Sequence, residues 1–455
     1  MSANAKREGV VAQGWEIRPL GEVVKPTRPR IKPSEKPDLP FIGMEHVEAH
    51  TMKLLGTVPA GTMKSSAVHF QSGDVLYGRL RPYLNKVYRP NFEGLCSAEF
   101  IVFPKTEGVD SRYLQYFMNS STFVSFASHL NTGDRPRVDF DQLAPYEFPL
   151  APLDQQKRIV AEIEKQFSRL DEAVANLKRV KANLKRYKAA VLKAAVEGRL
   201  VETEAEIARR EGRSFEAGAQ LLQRILETRR SQWQGKGKYK EPAAPDTTNL
   251  PELPQGWVWA TMPQLGELAR GKSKHRPRDD AKLYGGPYPF IQTGDVRRSE
   301  GTIAEHTQTY SDIGLAQSRL WPHGTLCITI AANIAETGIL NFASCFPDSI
   351  VGFIASSDQV AARYVELFIR TAKGGLERFA PATAQKNINL EVLEAVAIAL
   401  PPIGEQRRIV AEVERRLSLL REAEAQVNAN LQRPERLRQS ILKNAFSSEG
   451  HLCES

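Results

Sequence analysis

One string is written twice in this chain. Arg158 to Glu164 reads RIVAEIE, and 250 residues later Arg408 to Glu414 reads RIVAEVE. Over the longer comparison of Leu153–Glu172 with Ile403–Glu422, ten of twenty positions are identical. Arg112-Tyr113-Leu114 pairs with Arg363-Tyr364-Val365 upstream, and Gly14-Trp15 with Gly256-Trp257, so the repeat covers both halves of the 455 residues. A period this long excludes solenoids and propellers, whose units run about 20 to 50 residues. It describes a domain plus a helix, duplicated. Either the duplication is old and without functional meaning, or two copies of one scaffold present two different surfaces; the divergence between matching helical frames favours the second.

The helical part of each copy is legible as a stripe. From Ile159 the apolar residues fall at Ile163, Phe167, Leu170, Val174, Leu177, Val180, Leu184, Tyr187 and Val191, in steps of three and four, which predicts a long helix with a coiled-coil seam. Asp154 is placed to cap its start and Gly198 to end it. In the second copy Ile409, Val413, Leu417, Leu420, Val427, Leu431, Leu437 and Ile441 continue the pattern, but Glu424 interrupts the seam and Pro434 should kink the helix. A narrow apolar stripe needs a partner, either the other long helix or a helix of another protein. Ile159, Ile163, Phe167, Leu170, Ile409, Val413, Leu417 and Leu420 are the candidates for that pairing or docking.

Short apolar runs such as DVLYGRL, EFIVFP, TLCITI and SIVGFIA, broken by Gly, Pro and Asn, read as strands of a compact α+β domain in each half, with helices near Tyr113 and Tyr364. The expected divisions are a first domain over 14–152, a first long helix over 153–200, a charged helix and linker over 201–255, a second domain over 256–402 and a second long helix over 403–448.

Charge narrows the partner. Lys and Arg number 62 against 53 Asp and Glu, a net charge of +9 with a pI near 9.2, and a basic globular chain points first to nucleic acid. Cys96, Cys327, Cys345 and Cys453 show no C-x-x-C spacing, so no disulfide framework or zinc site is expected and a cytoplasmic setting fits. No window approaches a membrane span, and the first residues lack the apolar segment of an export signal.

Gly266 to Ser273, GELARGKS, satisfies the phosphate-loop pattern by letters, but Pro263 precedes it and KHRPRDD comes after it, where a strand and a helix are required. No G-x-G-x-x-G, H-E-x-x-H or G-x-S-x-G is present, and the eight histidines lack ligand spacing. The chain therefore reads as non-catalytic, with no metal or cofactor of its own. Residues suited to reading a duplex are present. Lys272, Lys274, Arg276 and Arg278 lie in one Gly/Pro-containing segment, and Arg79, Arg81 and Lys86 among aromatics in YGRLRPYLNK. Arg135 and Arg137 in NTGDRPRVDF correspond by position to Gln385, Lys386, Asn387 and Asn389 in ATAQKNINL. Arg suits guanine edges, Asn and Gln suit adenine, and Lys suits phosphate. Between Ala173 and Val196 seven Lys or Arg occur without an acid, a flank that either lies near phosphate or is simply solvated.

The order of these motifs resembles the DNA-specificity subunit of type I restriction-modification systems along essentially the whole chain. They are QGWEIRPLGEV and FPLAPLDQQKRIVAEIE, then LPQGWVWATMPQLGEL, GPYPFIQTGDV and ATAQKNINLEVLEAVAIALPPIGEQRRIVAEVE. The resemblance implies two duplicated α+β target-recognition domains, separated by two long helices in an antiparallel, pseudo-two-fold coiled coil. It also implies a bipartite, asymmetric double-stranded DNA site and docking of two adenine-N6 methyltransferase subunits. S-adenosylmethionine belongs to those subunits, and ATP and Mg2+ to restriction subunits where these join. The first copy departs from the usual pattern, with Asp154-Gln155-Gln156 where the second has Gly404-Glu405-Gln406. Two rival readings are a self-sufficient enzyme, which would bind S-adenosylmethionine or turn over ATP alone, and a structural scaffold, which would show no steep salt dependence on DNA.

Overall fold

The computed structural model describes residues 14–26, 29–235, 237–331, 334–356, 359–376 and 388–447. They fall into two compact units. One comprises the chain up to Val180 together with everything from Val427 onward, and the other is Lys181–Gln426.

In the first unit Glu16–Pro19 pairs antiparallel with Glu147–Leu150, immediately before the first long helix. A three-stranded sheet is ordered Val87–Tyr88, Val75–Gly78, Phe100–Phe103; a five-stranded sheet is ordered Arg30–Ile31, Ala67–Phe70, Gly94–Ser97, Pro40–Ile42, Val58–Pro59. The expected helix at Tyr113 spans Ser111–Asn119, and Asp110 caps it by accepting from the amides of Arg112 at 2.8 Å and Tyr113 at 3.3 Å. Trp15, Tyr77, Tyr113, Phe117, Phe148, Ile159 and Ile163 form the core.

The second unit repeats the scheme. Val258–Thr261 pairs with Ala397–Leu400, and Trp15 and Trp257 stand just ahead of matching registers, Glu16 opposite Leu150 and Val258 opposite Leu400. A five-stranded sheet is ordered Gly266–Arg270, Ile350–Ala355, Leu326–Thr329, Thr337–Leu340, Gly301–Ile303, beside the hairpin Tyr284–Phe290 with Gln308–Tyr310. The helix at Tyr364 spans Ala362–Leu376. Strand Gly266–Arg270 consumes the first five letters of the phosphate-loop string. The chain then continues into a loop and the three-residue 3-10 turn Ala281–Leu283, so no helix N-terminus faces a phosphate there.

Both copies anchor their long helix alike, which explains the shared letters. The Trp15 indole donates to Gln155 at 2.9 Å and the Trp257 indole to Glu405 at 3.0 Å. Tyr113 Oη donates to the Pro149 carbonyl and Tyr364 Oη to that of Ala399, each at 2.7 Å. Gln156 and Gln406, both fully buried, accept from the amides of Asp110 and Ala361 at 2.8 and 2.9 Å. The departure at Gln155 thus keeps the acceptor and changes only its charge. That charge has a further use in the second unit, where Glu405 also accepts from the Glu204 amide at 2.9 Å.

The first long helix runs Leu153–Val196. Asp154 lies inside its first turn rather than at the cap, where its charge still favours the helix dipole; Gly198, at φ 69°, stands just past its end. The second long helix stops at Leu431, and Pro434 starts a separate helix, Pro434–Ala445, so the expected kink is a break. Burial along the stripe is concentrated at its ends. Ile159 and Ile163 are buried in the first unit's core and Val191 in the second's, while Val180 and Tyr187 are 44% and 48% exposed. Ile159, Ile163, Phe167, Ile409 and Val413 therefore serve the core of their own unit and are closed to an outside partner; Leu420 is buried as well. Leu170 and Leu417 are half-buried.

Each unit is completed by a helix end from the other copy of the repeat. Val191 and Ala195 share a core with Ile409 and Val413, and Arg416 Nη1 lies 3.5 Å from Tyr187 Oη. In the first unit Leu442 and Ala445 share a core with Ile159 and Ile163, Arg438 pairs with Asp171, and its guanidinium sits 4.8 Å over the Phe167 ring. Within each unit the two helical segments therefore run antiparallel. Leu192-Lys193 and Ala195 recur as Leu442-Lys443 and Ala445, so the repeat extends to the helix ends.

The expected single charged helix over Glu204–Arg230 is two, Glu204–Glu211 and Gly218–Ser231, separated after Gly212 at φ 66°. Both belong to the second unit. Leu221 and Ile225 enter its core, and Gly218 approaches the strand pair so closely that a Cβ would lie 2.4 Å from the Leu400 carbonyl.

Candidate nucleic-acid interface

In the first unit the sheet brings the two arginine segments together. Arg79 directly follows strand Val75–Gly78, and its carbonyl accepts from Val138 N at 3.0 Å; Arg81 N donates to the Pro136 carbonyl at 2.7 Å, and Leu80 bridges Arg137. Arg79 pairs with Asp139 and Arg137 with Glu99, the latter at 2.9 Å. These pairs are solvent-facing and therefore weak, so phosphate or a base edge can exchange with the carboxylates. Arg135 is exposed on the same loop and has no partner among the described residues. Lys86 behaves differently. Its Nζ turns inward to the Met44 carbonyl at 2.5 Å, and burial holds its pKa below the usual lysine value. It is a structural tie, not a phosphate contact.

The second unit repeats the loop anchor with other side chains. Ile388 N donates to the Ile330 carbonyl at 3.0 Å, the counterpart of Val138 on Arg79. Gln385, Lys386 and Asn387 lie outside the described residues. Asn389 is a helix cap, accepting from Val392 N at 3.1 Å and donating to Glu391 at 3.0 Å, which occupies the groups that base reading would need.

The basic segment Gly271–Arg278 is held in shape from within. Gly271 fits where a Cβ would lie 2.3 Å from the Pro347 carbonyl. The amides of Lys274 and His275 donate to Gln317 Oε1 at 2.5 and 3.0 Å, and Ser318 Oγ donates to the Lys272 carbonyl at 2.8 Å. Arg276 is turned back on the carbonyls of Ser273 and His275, both at 2.8 Å, and Arg278 pairs with Asp348 at 3.1 Å. Lys272 and Lys274 stand exposed with side chains unpaired among the described residues. Beside them opens a hollow of about 650 Å³ lined by Ser273, Arg278, Tyr284, Phe290, Gln292 and Gln308 among others.

One cation was missed. Arg28-Pro29-Arg30 is the first-copy counterpart of Arg276-Pro277-Arg278, and the recurring RPR could have revealed it. Arg30 is exposed and lines a small cavity with Arg79 and Asp139. On the first long helix, Lys178, Lys181, Lys185 and Arg186 are exposed without an acidic partner among the described residues.

Two units of one scaffold, with the loop anchor of Val138 on Arg79 repeated as Ile388 on Ile330 and with exposed cations on loops of each unit, define a duplicated two-unit protein. The chain belongs to the type I restriction modification DNA specificity domain family, whose model matches residues 12–186 and 254–433. It is 25% identical to the type I restriction enzyme EcoDI specificity subunit of Escherichia coli over 42% of this chain and 43% of that protein, under half of the relative's length. The EcoEI specificity subunit of Escherichia coli is 21% identical over 88% of this chain and 77% of that one. Among solved structures, the HsdS subunit from Thermoanaerobacter tengcongensis matches with a TM-score of 0.63 at 20% identity, covering 96% of this chain and 97% of that one. A chain from a study of complex assembly and conformational transition of the type I R-M system matches at 0.66, also 20% identical, over 96% and 98%. No helix among the described residues is long and apolar enough to cross a membrane.

Proposed function

We propose that this chain is the non-catalytic specificity subunit of a type I restriction-modification complex. Each unit takes one half of a split, asymmetric DNA site, and the chain docks two adenine-N6 methyltransferase subunits, joined by restriction subunits where these exist. S-adenosylmethionine is held by the methyltransferase subunits, and ATP with Mg2+ by the restriction subunits; this chain holds no cofactor. The observation that carries the reading is the repeated loop anchor, Val138 on Arg79 and Ile388 on Ile330, ahead of which the sequence reads Arg135-Pro136-Arg137 in one copy and Gln385-Lys386-Asn387 in the other. A shared frame with exchanged side chains suits two different base sequences. In this reading the cations Arg30, Arg135, Lys272 and Lys274 supply phosphate contacts, and Arg79, Arg81, Arg137 and Arg278 are the candidates for base edges.

The test is to map methylated adenines in DNA from cells expressing the chain with methyltransferase subunits, before and after residues 256–402 are replaced by those of another family member. One half-site should change and the other persist. Simultaneous change of both would overturn the assignment of one unit to one half-site.

A further inference from the structure

We infer that Gln292 and Gln308 act as a paired-amide reader of one adenine·thymine base pair in the half-site taken by the second unit. The inference rests on the reading above that this unit binds duplex DNA. Phe290 and Gln308 are register partners in the hairpin, and Gln292 follows the same strand two residues later, so the two side chains meet in the lining of the 650 Å³ hollow. Gln292 Nε2 donates to Gln308 Oε1 at 2.6 Å, and both residues are exposed. That bond uses one donor and one acceptor. Among the described residues it leaves Gln308 Nε2 as a free donor beside Gln292 Oε1 as a free acceptor, and turning both amides over leaves the same complement with the residues exchanged.

A donor beside an acceptor matches adenine, which offers N7 and the N6 amino group in the major groove. Guanine presents two acceptors there and would leave the amide oxygen facing another oxygen, unpaired. The bond between the amides also favours the paired arrangement in the free protein, so less side-chain freedom is lost on binding. Ser273 and Arg278, the latter held on Asp348, line the same hollow, and the exposed Lys272 and Lys274 belong to the same loop as they do. Phosphate contact and base reading thus converge on one opening. The first unit has no counterpart. Pro289-Phe290-Ile291-Gln292 reads Pro40-Phe41-Ile42-Gly43 there, so the amide pair belongs to one half-site only.

The experiment is selection of random duplexes by the full-length chain, with sequencing of those retained. Gln292 caps its helix through its backbone amide, which donates to Asp295 at 2.8 Å, so alanine there leaves the cap intact. Wild type should enrich two separated blocks. The double variant Gln292→Ala, Gln308→Ala should lose about 5- to 150-fold discrimination at one adenine position, or two adjacent ones, of a single block. Gln308→Glu, which replaces the free donor by an acceptor, should move that position toward cytosine. Enrichment of the wild-type sequences by the double variant would overturn the proposal while leaving DNA binding by the unit in place. Failure of the wild-type chain to enrich any block would overturn the DNA reading itself and this proposal with it. Lys272→Ala with Lys274→Ala separates the two, because it should weaken retention of all sequences alike.

Discussion

Arg135 and Lys86 carry the same charge and looked equivalent as letters, yet one faces solvent and the other is tied to the Met44 carbonyl. Arg135→Ala should lower DNA affinity for every sequence and flatten the salt dependence by about one unit, read from binding isotherms at several salt concentrations, with no change in melting temperature. Lys86→Ala should do the reverse, costing about 1–3 kcal/mol of stability and leaving the salt slope unchanged. A third residue titrates. Burial pushes the Glu204 carboxyl up, but hydrogen bonds from Arg213 and Arg408 at 2.6 and 2.7 Å outweigh it and leave the pKa below the usual 4.5. A lowered folded pKa stabilises above the ordinary carboxylate range, and that stability is lost as pH falls through the folded value. Both arginines are more than a third exposed, so the effect is about 1 kcal/mol. Thermal unfolding should show Glu204→Gln less stable than wild type at pH 7, with the difference shrinking as pH falls below the ordinary carboxylate range. The amide pair Gln292 and Gln308 was not legible in sequence, because strand register, not spacing along the chain, brings the two together.

The first long helix is the element whose length can be changed without touching either sheet. It has 44 residues, and at 1.5 Å each it spans roughly 66 Å. Four residues added between Leu177 and Leu184 would lengthen it by about 6 Å, near two base-pair steps, and would turn it by little more than one full turn of 3.6. The unread gap of the target, mapped by adenine methylation, should then grow by one or two base pairs with both half-sites unchanged; an unaltered gap would show that this helix does not measure the spacing. Both long helices and the α+β character of each half were legible, because a three-four stripe and short β-branched runs fix face and type locally. The covering of those faces was not. Ile441 and Val191 continue the stripe whether they meet a partner helix or close a domain core, and periodicity reports the face, not what lies against it. The split after Gly212 was likewise hidden, since the charged residues on either side are good helix formers and only the positive φ of that glycine ends the run.

For the whole chain, repeat boundaries and unit boundaries do not coincide, since Leu442, Ala445 and Phe446 belong to the core around Tyr113 and Phe117. Leu442 is fully buried, so Leu442→Ala should cost about 2–5 kcal/mol in the first unit. Hydrogen exchange should show that loss as faster exchange in residues 111–129, with Lys181–Gln426 unaffected; equal protection in both proteins would mean that the helix end is not part of that core. The same arrangement sets an order of events during synthesis. Asn119 waits 320 residues for Gln439, whose amide donates to its carbonyl. At about 5–20 residues per second the interval is roughly 16 to 64 s. Lys181–Gln426 is contiguous in the chain and so is synthesised whole before Gln439, whereas the core around Tyr113 and Phe117 lacks Leu442 and Phe446 until those residues are made, which leaves its aromatic face uncovered for that interval.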